Sequence, residues 1–306
     1  MAQKKSKRKV GRSGWIFYAV AMAIPVLQFL IFYIGVNLNS ILMAFQKYDT
    51  VSGISEWAGF DNFATAFADL LKGDRLKYLL LNSLLYFVIS VGIVTPLSLM
   101  FSYYIYRKMK FSGFFKVVLF LPSVISSMIF VLLFSNFVDR VISSFFELMG
   151  MAGVEGLFAN SATRRGTLIF FNIWLAFSGS ILLYLNAMSQ VSESCIEAAQ
   201  IDGASSWKTF LHIVLPLVWP TIVTFFAISL AGFASNQAYL FSFWGDNANP
   251  ELQTLGYYMY ELIMKQGTTR ADYNLAAAVG LCFTAIIAPL TIIVRKLMIR
   301  FGPQED

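Results

Sequence analysis

The stretch Glu193 to Pro216, ESCIEAAQIDGASSWKTFLHIVLP, lies between two long apolar segments and is itself too polar to cross a bilayer. Ser194 and Glu197 have capping-box spacing, which predicts a short helix starting there, with the hydroxyl and the carboxylate satisfying amides at its first turn. Ala198 and Ala199 leave the surface of that helix bare enough for a cleft on another protein to close over it. Asp202-Gly203 supplies the turn that ends it. A second helix is expected at once, because Trp207, Phe210, Leu211 and Val214 fall at i, i+3, i+4 and i+7, one stripe suited to a membrane surface. Pro216 then introduces a kink. The stretch reads as a shaped docking element rather than a casual connector.

The rest of the chain is membrane material. Of 306 residues, 58% are hydrophobic and only 13% charged, too apolar for an ordinary soluble domain. The net charge of +6 is not gathered into a basic stripe with interleaved aromatics, so nucleic acid is not an expected partner. The two cysteines, Cys195 and Cys282, imply no disulfide framework.

The basic start, MAQKKSKRKVGR, precedes an uncharged run too long for a secretory signal, and reads as the anchor of a retained first helix over Trp15 to Val36, bent at Pro25. Five further uncharged runs follow: Tyr78 to Tyr106, Val117 to Val138, Gly166 to Ser192, Thr209 to Gly245 with its span starting near Leu215, and Tyr273 to Val294. Each can hold the ~20 residues that cross the hydrocarbon core. Six helices and an all-α integral membrane fold are expected. With a cytoplasmic start, the inside segments carry a local balance of +9 and the outside segments −3, which places both termini and the central stretch in the cytoplasm.

Glu197, Ala198, Ala199, Gly203, Ile213, Leu215 and Pro216 match at every spacing the EAA motif of permease subunits of binding-protein-dependent ABC importers, and the chain resembles that family. The wider EAAQIDGA, Phe210 and Pro220 are similar to its carbohydrate branch. WAGFDNF, at Trp57 to Phe63, resembles the GLDNF signature after the first helix in the maltose-permease F-like, or glycerol-3-phosphate-permease A-like, half of sugar importers. Val191-Ser192 stands where the family usually has Ile-Pro, and Asn247-Ala248-Asn249-Pro250 where many members have a Gly-Gly-Pro turn.

The resemblance implies a type I importer permease of a bacterial or archaeal cytoplasmic membrane: a cytoplasmic N-terminus at 1–14, a six-helix transmembrane domain at 15–300 and a cytoplasmic tail at 301–306. It also implies a coupling helix within 193–216, seated in a groove of a separate cytoplasmic ATPase through Glu197, Ala198, Ala199, Asp202, Gly203, Ile213, Leu215 and Pro216. The implied partners are two ATPase subunits that bind the ATP and Mg, a second and different permease chain, and an extracytoplasmic solute-binding protein.

No bond-making chemistry is visible. His212 has no second His or carboxylate at metal-ligand spacing, so neither a metal nor a catalytic residue is expected. GASSWKT at Gly203 to Thr209 lacks the glycines of a phosphate loop, so the chain is expected to hold no cofactor of its own.

The uncharged runs contain no acidic residue, which offers little for a self-energised carrier. They do contain amides, hydroxyls and aromatic rings: Asn172, Trp174 and Ser178 on the fourth helix and Ser229, Asn236, Gln237 and Tyr239 on the fifth. Amides and hydroxyls satisfy sugar hydroxyls in both directions, and ring faces cover a pyranose. These seven are the expected solute path, for a sugar or oligosaccharide. A non-sugar solute is the nearest alternative reading, and a self-energised carrier is more distant. The same residues also suit packing between helices.

Overall fold

The computed structural model describes residues 12–49, 52–150, 155–265 and 267–303. The block Met1–Gly11 and the last residues Gln304–Asp306, on which much of the expected cytoplasmic ends falls, lie outside the described residues. In chain order the main elements are α1 (Trp15–Ala44), β1 (Gln46–Tyr48), β2 (Ser55–Trp57), α2 (Asp61–Leu70), α3 (Arg75–Tyr106), α4 (Ser112–Val124), α5 (Ser127–Leu148), α6 (Ser161–Met188), α7 (Glu193–Ile201), α8 (Ser206–Leu217), α9 (Trp219–Ala234), α10 (Leu240–Trp244), α11 (Leu255–Met264) and α12 (Arg270–Phe301). Among the described residues five helices, α1, α3, α5, α6 and α12, are long and apolar enough to span a bilayer, and α8 with α9 forms a sixth crossing bent by 69°.

Two crossings are interrupted differently from the sequence expectation. The third uncharged run is broken: α4 ends after Pro122, Ile125 and Ser126 are extended, and the spanning helix is α5, shifted towards the C-terminus. Pro122 removes a backbone donor from α4, which favours the break. Asp139 and Arg140, expected outside, therefore lie inside α5, where an Asp139 carboxylate oxygen accepts from the Phe158 amide at 2.9 Å. In the fifth run the helix bends at Val218 rather than at Pro216, and it stops at Ala234 rather than at Gly245. Pro220 opens α9, so two prolines four residues apart weaken the ladder on either side of Val218.

The chain divides into two compact units. The first comprises 1–66 and 269–281. In it α1 continues past the expected Val36 to Ala44, and Ser40 on the added turns bonds back to the Val36 carbonyl at 3.0 Å, which keeps its hydroxyl satisfied on the helix. The WAGFDNF segment closes this end. Phe45 stacks on Trp57 at 5.6 Å and meets Phe60 and Phe63. Gly59 takes φ +57°, and the Asn62 amide donates to the carbonyls of Ala44 and Gln46 at 2.9 and 2.7 Å. The motif is a clip across the end of α1 and the start of β1.

The second unit, 67–268 and 282–306, is built on α3 packed along α6. Ser102 donates to the Ile181 carbonyl at 2.8 Å, and Phe101 meets Phe177 edge to face. Both helices begin in one polar network and end beside α7 and α8. At ~1.5 Å per residue each covers more than 40 Å, enough to cross the ~30 Å hydrocarbon core.

At the network end, Arg75 bonds Glu261 at 2.5 Å and Gln253 at 3.2 Å, and its guanidinium lies 4.8 Å from the Tyr258 ring centre. The Tyr258 hydroxyl donates to Asp69 at 3.2 Å; burial first, and the Asp69 carboxylate second, push its pKa up to about 12. A folded value above the ordinary ~10 means that this donor is intact below pH ~10 and is lost as pH rises towards 12. Beside it, Arg165 bonds Asn82 at 3.0 Å and the Glu251 carbonyl at 2.8 Å, and the Asn82 amide holds the Glu251 and Gln253 carbonyls.

Glu261 is 16% exposed and Arg75 32%. With Arg75 removed, Glu261 keeps only the longer, mostly exposed contact to Lys265 at 3.9 Å, so Arg75→Gln should destabilise the protein by about 2 kcal/mol. A melting curve in mild detergent reads this as a lowered transition, partly restored when Glu261→Gln is added. An unshifted transition would contradict the network's role in tying α3 to α11.

Candidate coupling hairpin and membrane cavity

The helix α7 begins two residues before the expected capping box. Ser192, not Ser194, is its N-cap, and the two hydroxyls bond each other at 2.7 Å, so the reciprocal Ser194–Glu197 cap does not form. Ser192 holds φ −62°, a value a proline also adopts, so its backbone is compatible with the proline of an Ile-Pro pair. The other end is as expected. Gly203 takes φ +73°, its amide bonds the Gln200 carbonyl at 3.0 Å, and the Ala204 amide bonds the Ala199 carbonyl at 2.9 Å. That pair of bonds is a Schellman motif, which depends on the left-handed residue. Ser205 then caps α8, accepting from the Lys208 amide at 3.4 Å.

The hairpin of α7 and α8 stands on a packed base. Ile196, Phe210, Val214 and Val218 are buried with Leu99 and Tyr103 of α3 and Tyr184 and Met188 of α6. The expected membrane-facing stripe is therefore split: Phe210 and Val214 point into this base, while Trp207 and Leu211 remain exposed. Two polar ties reinforce it. The Tyr103 hydroxyl donates to the Ser206 carbonyl at 3.0 Å. The Gln200 side chain, with its amide oriented to satisfy both partners, accepts from the Arg107 guanidinium at 2.6 and 2.8 Å.

The expected coupling residues separate into two groups. Glu197, Ala198, Asp202 and Gly203 are exposed at the tip. Ala199 is buried, and Ile213, Leu215 and Pro216 are half-buried along α8. The first group is available to a partner; the second holds the tip in place. Sequence reading passed over Ile201, which is 87% exposed at the apex and is the most prominent apolar group of the hairpin. Its signal was available: an Ile in the last turn of a polar helix, directly before the Asp-Gly stop. His212 sits on α8 with Nδ1 3.1 Å from the Lys208 carbonyl.

The seven expected path residues are not brought together. A cavity of about 180 Å³ between α3 and α9 is lined by Ser83, Tyr86, Phe87 and Ser90 on one side and Ser229, Phe233 and Asn236 on the other, and it contains no charged side chain. Ser90 and Ser229 face each other at 3.2 Å. Only Ser229 and Asn236 of the seven line it.

The other five are engaged elsewhere or lie outside it. The Asn172 amide is committed to the Leu168 and Ala238 carbonyls at 2.9 and 3.2 Å, and the Ser178 hydroxyl to the Leu119 carbonyl at 2.6 Å. Trp174 packs on Phe130 at 5.1 Å. Gln237 and Tyr239, like Asn236, are not on the fifth helix but in the turn after it, where Tyr239 takes φ +59° and meets Phe171 edge to face.

That turn lies against Gly256, where a methyl group would overlap the backbone of Ser235 and Asn236. Asn236 helps to shape it, its side-chain oxygen accepting from the Ala238 amide at 2.8 Å. The α3 contribution had a readable signal: Ser83, Tyr86 or Phe87, and Ser90 recur at helical spacing as a stripe in an apolar span. A π-helical turn at Ser90–Val94 ahead of Pro96 frees backbone groups there, and Thr95 returns a bond to the Ser90 carbonyl at 3.0 Å.

Residues 89–302 match the family model described as the binding-protein-dependent transport system inner membrane component. Among curated proteins the chain is 27% identical to the arabinooligosaccharides transport system permease protein AraP of Bacillus subtilis (strain 168), over 94% of this chain and 92% of that protein. It is 25% identical to the lactose transport system permease protein LacF of Rhizobium radiobacter, over 93% of both. Among solved structures the fold matches a chain of a bacterial ABC transporter involved in the import of the acidic polysaccharide alginate, with a TM-score of 0.76 and 22% identity over 95% of this chain and 97% of that one. A second match is to the bacterial alginate transporter in complex with alginate pentasaccharide-bound periplasmic protein, with a TM-score of 0.70 and 21% identity over 94% and 93%. The span pattern, the hairpin and a family match over more than two-thirds of the chain lead to one conclusion: it is a multi-pass membrane protein that belongs to the family of binding-protein-dependent transport system inner membrane components.

Proposed function

We propose that the chain is the permease half of an ATP-driven sugar or oligosaccharide importer, with both termini and the α7–α8 hairpin in the cytoplasm. The observation that carries the coupling reading is the hairpin tip. Glu197, Ala198, Ile201 and Asp202 are exposed together on a short helix fixed by a Schellman turn and tied to the ends of α3 and α6. An isoleucine held out of a polar tip suits an apolar cleft, and the carboxylates around it suit a basic rim. A separate ATPase subunit supplies that groove, binds the ATP and Mg, and moves the hairpin as a rigid body. A second, different permease chain completes the pathway, and an extracytoplasmic binding protein delivers the solute to the opposite side.

The solute reading rests on the small cavity and on the relatives. Hydroxyls of Ser83, Ser90 and Ser229, the Asn236 amide and the rings of Phe87 and Phe233 give donors, acceptors and apolar faces without charge. That set favours a neutral sugar over an acidic one. The names of the curated relatives, which refer to arabino-oligosaccharides and lactose, point the same way. The remaining path candidates, Asn172, Trp174, Ser178, Gln237 and Tyr239, act by holding the turn and helices around that cavity.

The test is uptake of labelled oligosaccharides by the importer reconstituted in liposomes with its ATPase and binding protein. Gly203→Asp should abolish uptake while the protein stays in the membrane: a Cβ at φ +73° costs on the order of 1 kcal/mol, and the added carboxylate sits at the tip. Ile201→Asp should weaken ATPase retention by about thirtyfold, the effect of losing an interface anchor of ~2 kcal/mol. Ser90→Ala with Asn236→Ala should raise the apparent KM for uptake about tenfold with ATPase retention unchanged. Normal uptake by the Gly203 or Ile201 variant would remove the coupling role, and an unchanged KM would remove the cavity.

A further inference from the structure

A second cavity, of about 470 Å³, opens beside the hairpin between the end of α3, the start of α4 and the end of α6. Lys108 and Lys116 line it from two sides, and among the described residues neither makes an ion pair. The other cations of the same turn are engaged: Arg107 holds Gln200, and Lys110 lies 5.3 Å from the Phe111 ring centre. One carboxylate, Glu193, also lines the cavity, so its charged groups sum to one positive charge.

The turn that presents Lys108 is built at a cost. Lys108 and Phe111 take φ +50° and +61°, left-handed values that side-chain-bearing residues resist by roughly 1–2 kcal/mol each. The turn is held by bonds from the Lys108 amide to the Ile105 carbonyl at 3.0 Å, from the Ser112 amide to the Met109 carbonyl at 2.9 Å, and from the Tyr104 hydroxyl to the Lys110 carbonyl. Strain held in place by surrounding bonds is a common mark of a binding turn. Ser112, Asn186 and Ser189 add hydroxyl and amide groups to the wall, over an apolar floor that includes Ile105 and Leu185.

Beside the lining residues Gly113 and Lys116, α4 also carries Phe114, Val117 and Leu121, which are 64, 66 and 57% exposed. A ligand that fits both parts carries a negative headgroup and long apolar chains. We propose that this cavity binds the phosphate headgroup of an anionic phospholipid, between Lys108 and Lys116, with the acyl chains lying along α4. The shared headgroup chemistry also describes a free phosphate, but only a lipid uses the exposed apolar face. The site is independent of which solute crosses.

The experiment is native mass spectrometry of the full-length chain in mild detergent, titrated with phosphatidylglycerol or phosphatidylcholine. The comparison is among the wild type, Lys108→Gln/Lys116→Gln, and Lys296→Gln on α12 as a basic residue away from the cavity. One phosphatidylglycerol should be retained by the wild type and by Lys296→Gln, and about thirtyfold less tightly by the double variant, at the scale of about 1 kcal/mol for each lysine. Phosphatidylcholine should not be retained, and excess inorganic phosphate should not displace the bound lipid. Melting curves establish that the double variant is folded; if it is not, Lys116→Gln alone is used, with about fivefold weaker retention expected. Equal retention of the two lipids, no effect of the lysine substitutions, or displacement by phosphate would each overturn the lipid site, the last in favour of a soluble anion.

Discussion

Ile196 of α7 and Phe210 of α8 are buried against Tyr103 and Met188, the ends of the two long parallel helices of the larger unit. This contact lies at the ends of two helices long enough to span a bilayer, and outside the hydrocarbon core burial gains the hydrophobic effect that is absent between helices within lipid. Two buried side chains of this size contribute about 1.5–3 kcal/mol each. The hairpin is consequently part of the same solid body as α3 and α6. Without that stiffness a push on Ile201 or Glu197 would bend the loop instead of moving the helices.

The opposite ends of the same helices are held by polar chemistry. Arg75, Glu261, Tyr258 and Asp69, with Arg165, Asn82 and the Glu251 and Gln253 carbonyls, join α3 and α6 to the segment that follows the bent crossing. The bend at Val218 sits in the hairpin base, and away from it lie two further interruptions, the π turn at Ser90–Val94 and the turn at Asn236–Tyr239. Irregular backbone at membrane depth is tolerated where it is buried in protein or lines a cavity. Ser90 and Asn236, at two of these interruptions, face the same uncharged cavity. The cavity is a consequence of broken helices whose ends are firmly tied.

What could be read from sequence followed from how local its physics is. The stop at Asp202-Gly203 was legible because a left-handed residue after a helix has few substitutes. The start of α7 was not, since Ser192 and Ser194 compete for the cap and the two hydroxyls bond each other. Six crossings followed from composition, but the position of the third did not: a span was expected to end before Asp139, and the structure instead gives that carboxylate an amide partner from Phe158. Pro216 announced a bend, but the turn falls two residues later, at Val218, between it and Pro220. The solute path was least legible. An amide in an apolar helix reads alike whether it binds a sugar or a carbonyl of its own chain, and for Asn172 the distant partner Ala238 decides for packing.

The central claim is that the exposed hairpin tip couples this chain to a separate ATPase. The most direct measurement is gentle detergent extraction of the tagged chain from native membranes, with its companions identified by mass spectrometry. The account predicts recovery of an ATPase and a second six-helix permease together with the chain. Isolation of the chain alone, still mediating uptake in liposomes without ATP, would contradict it.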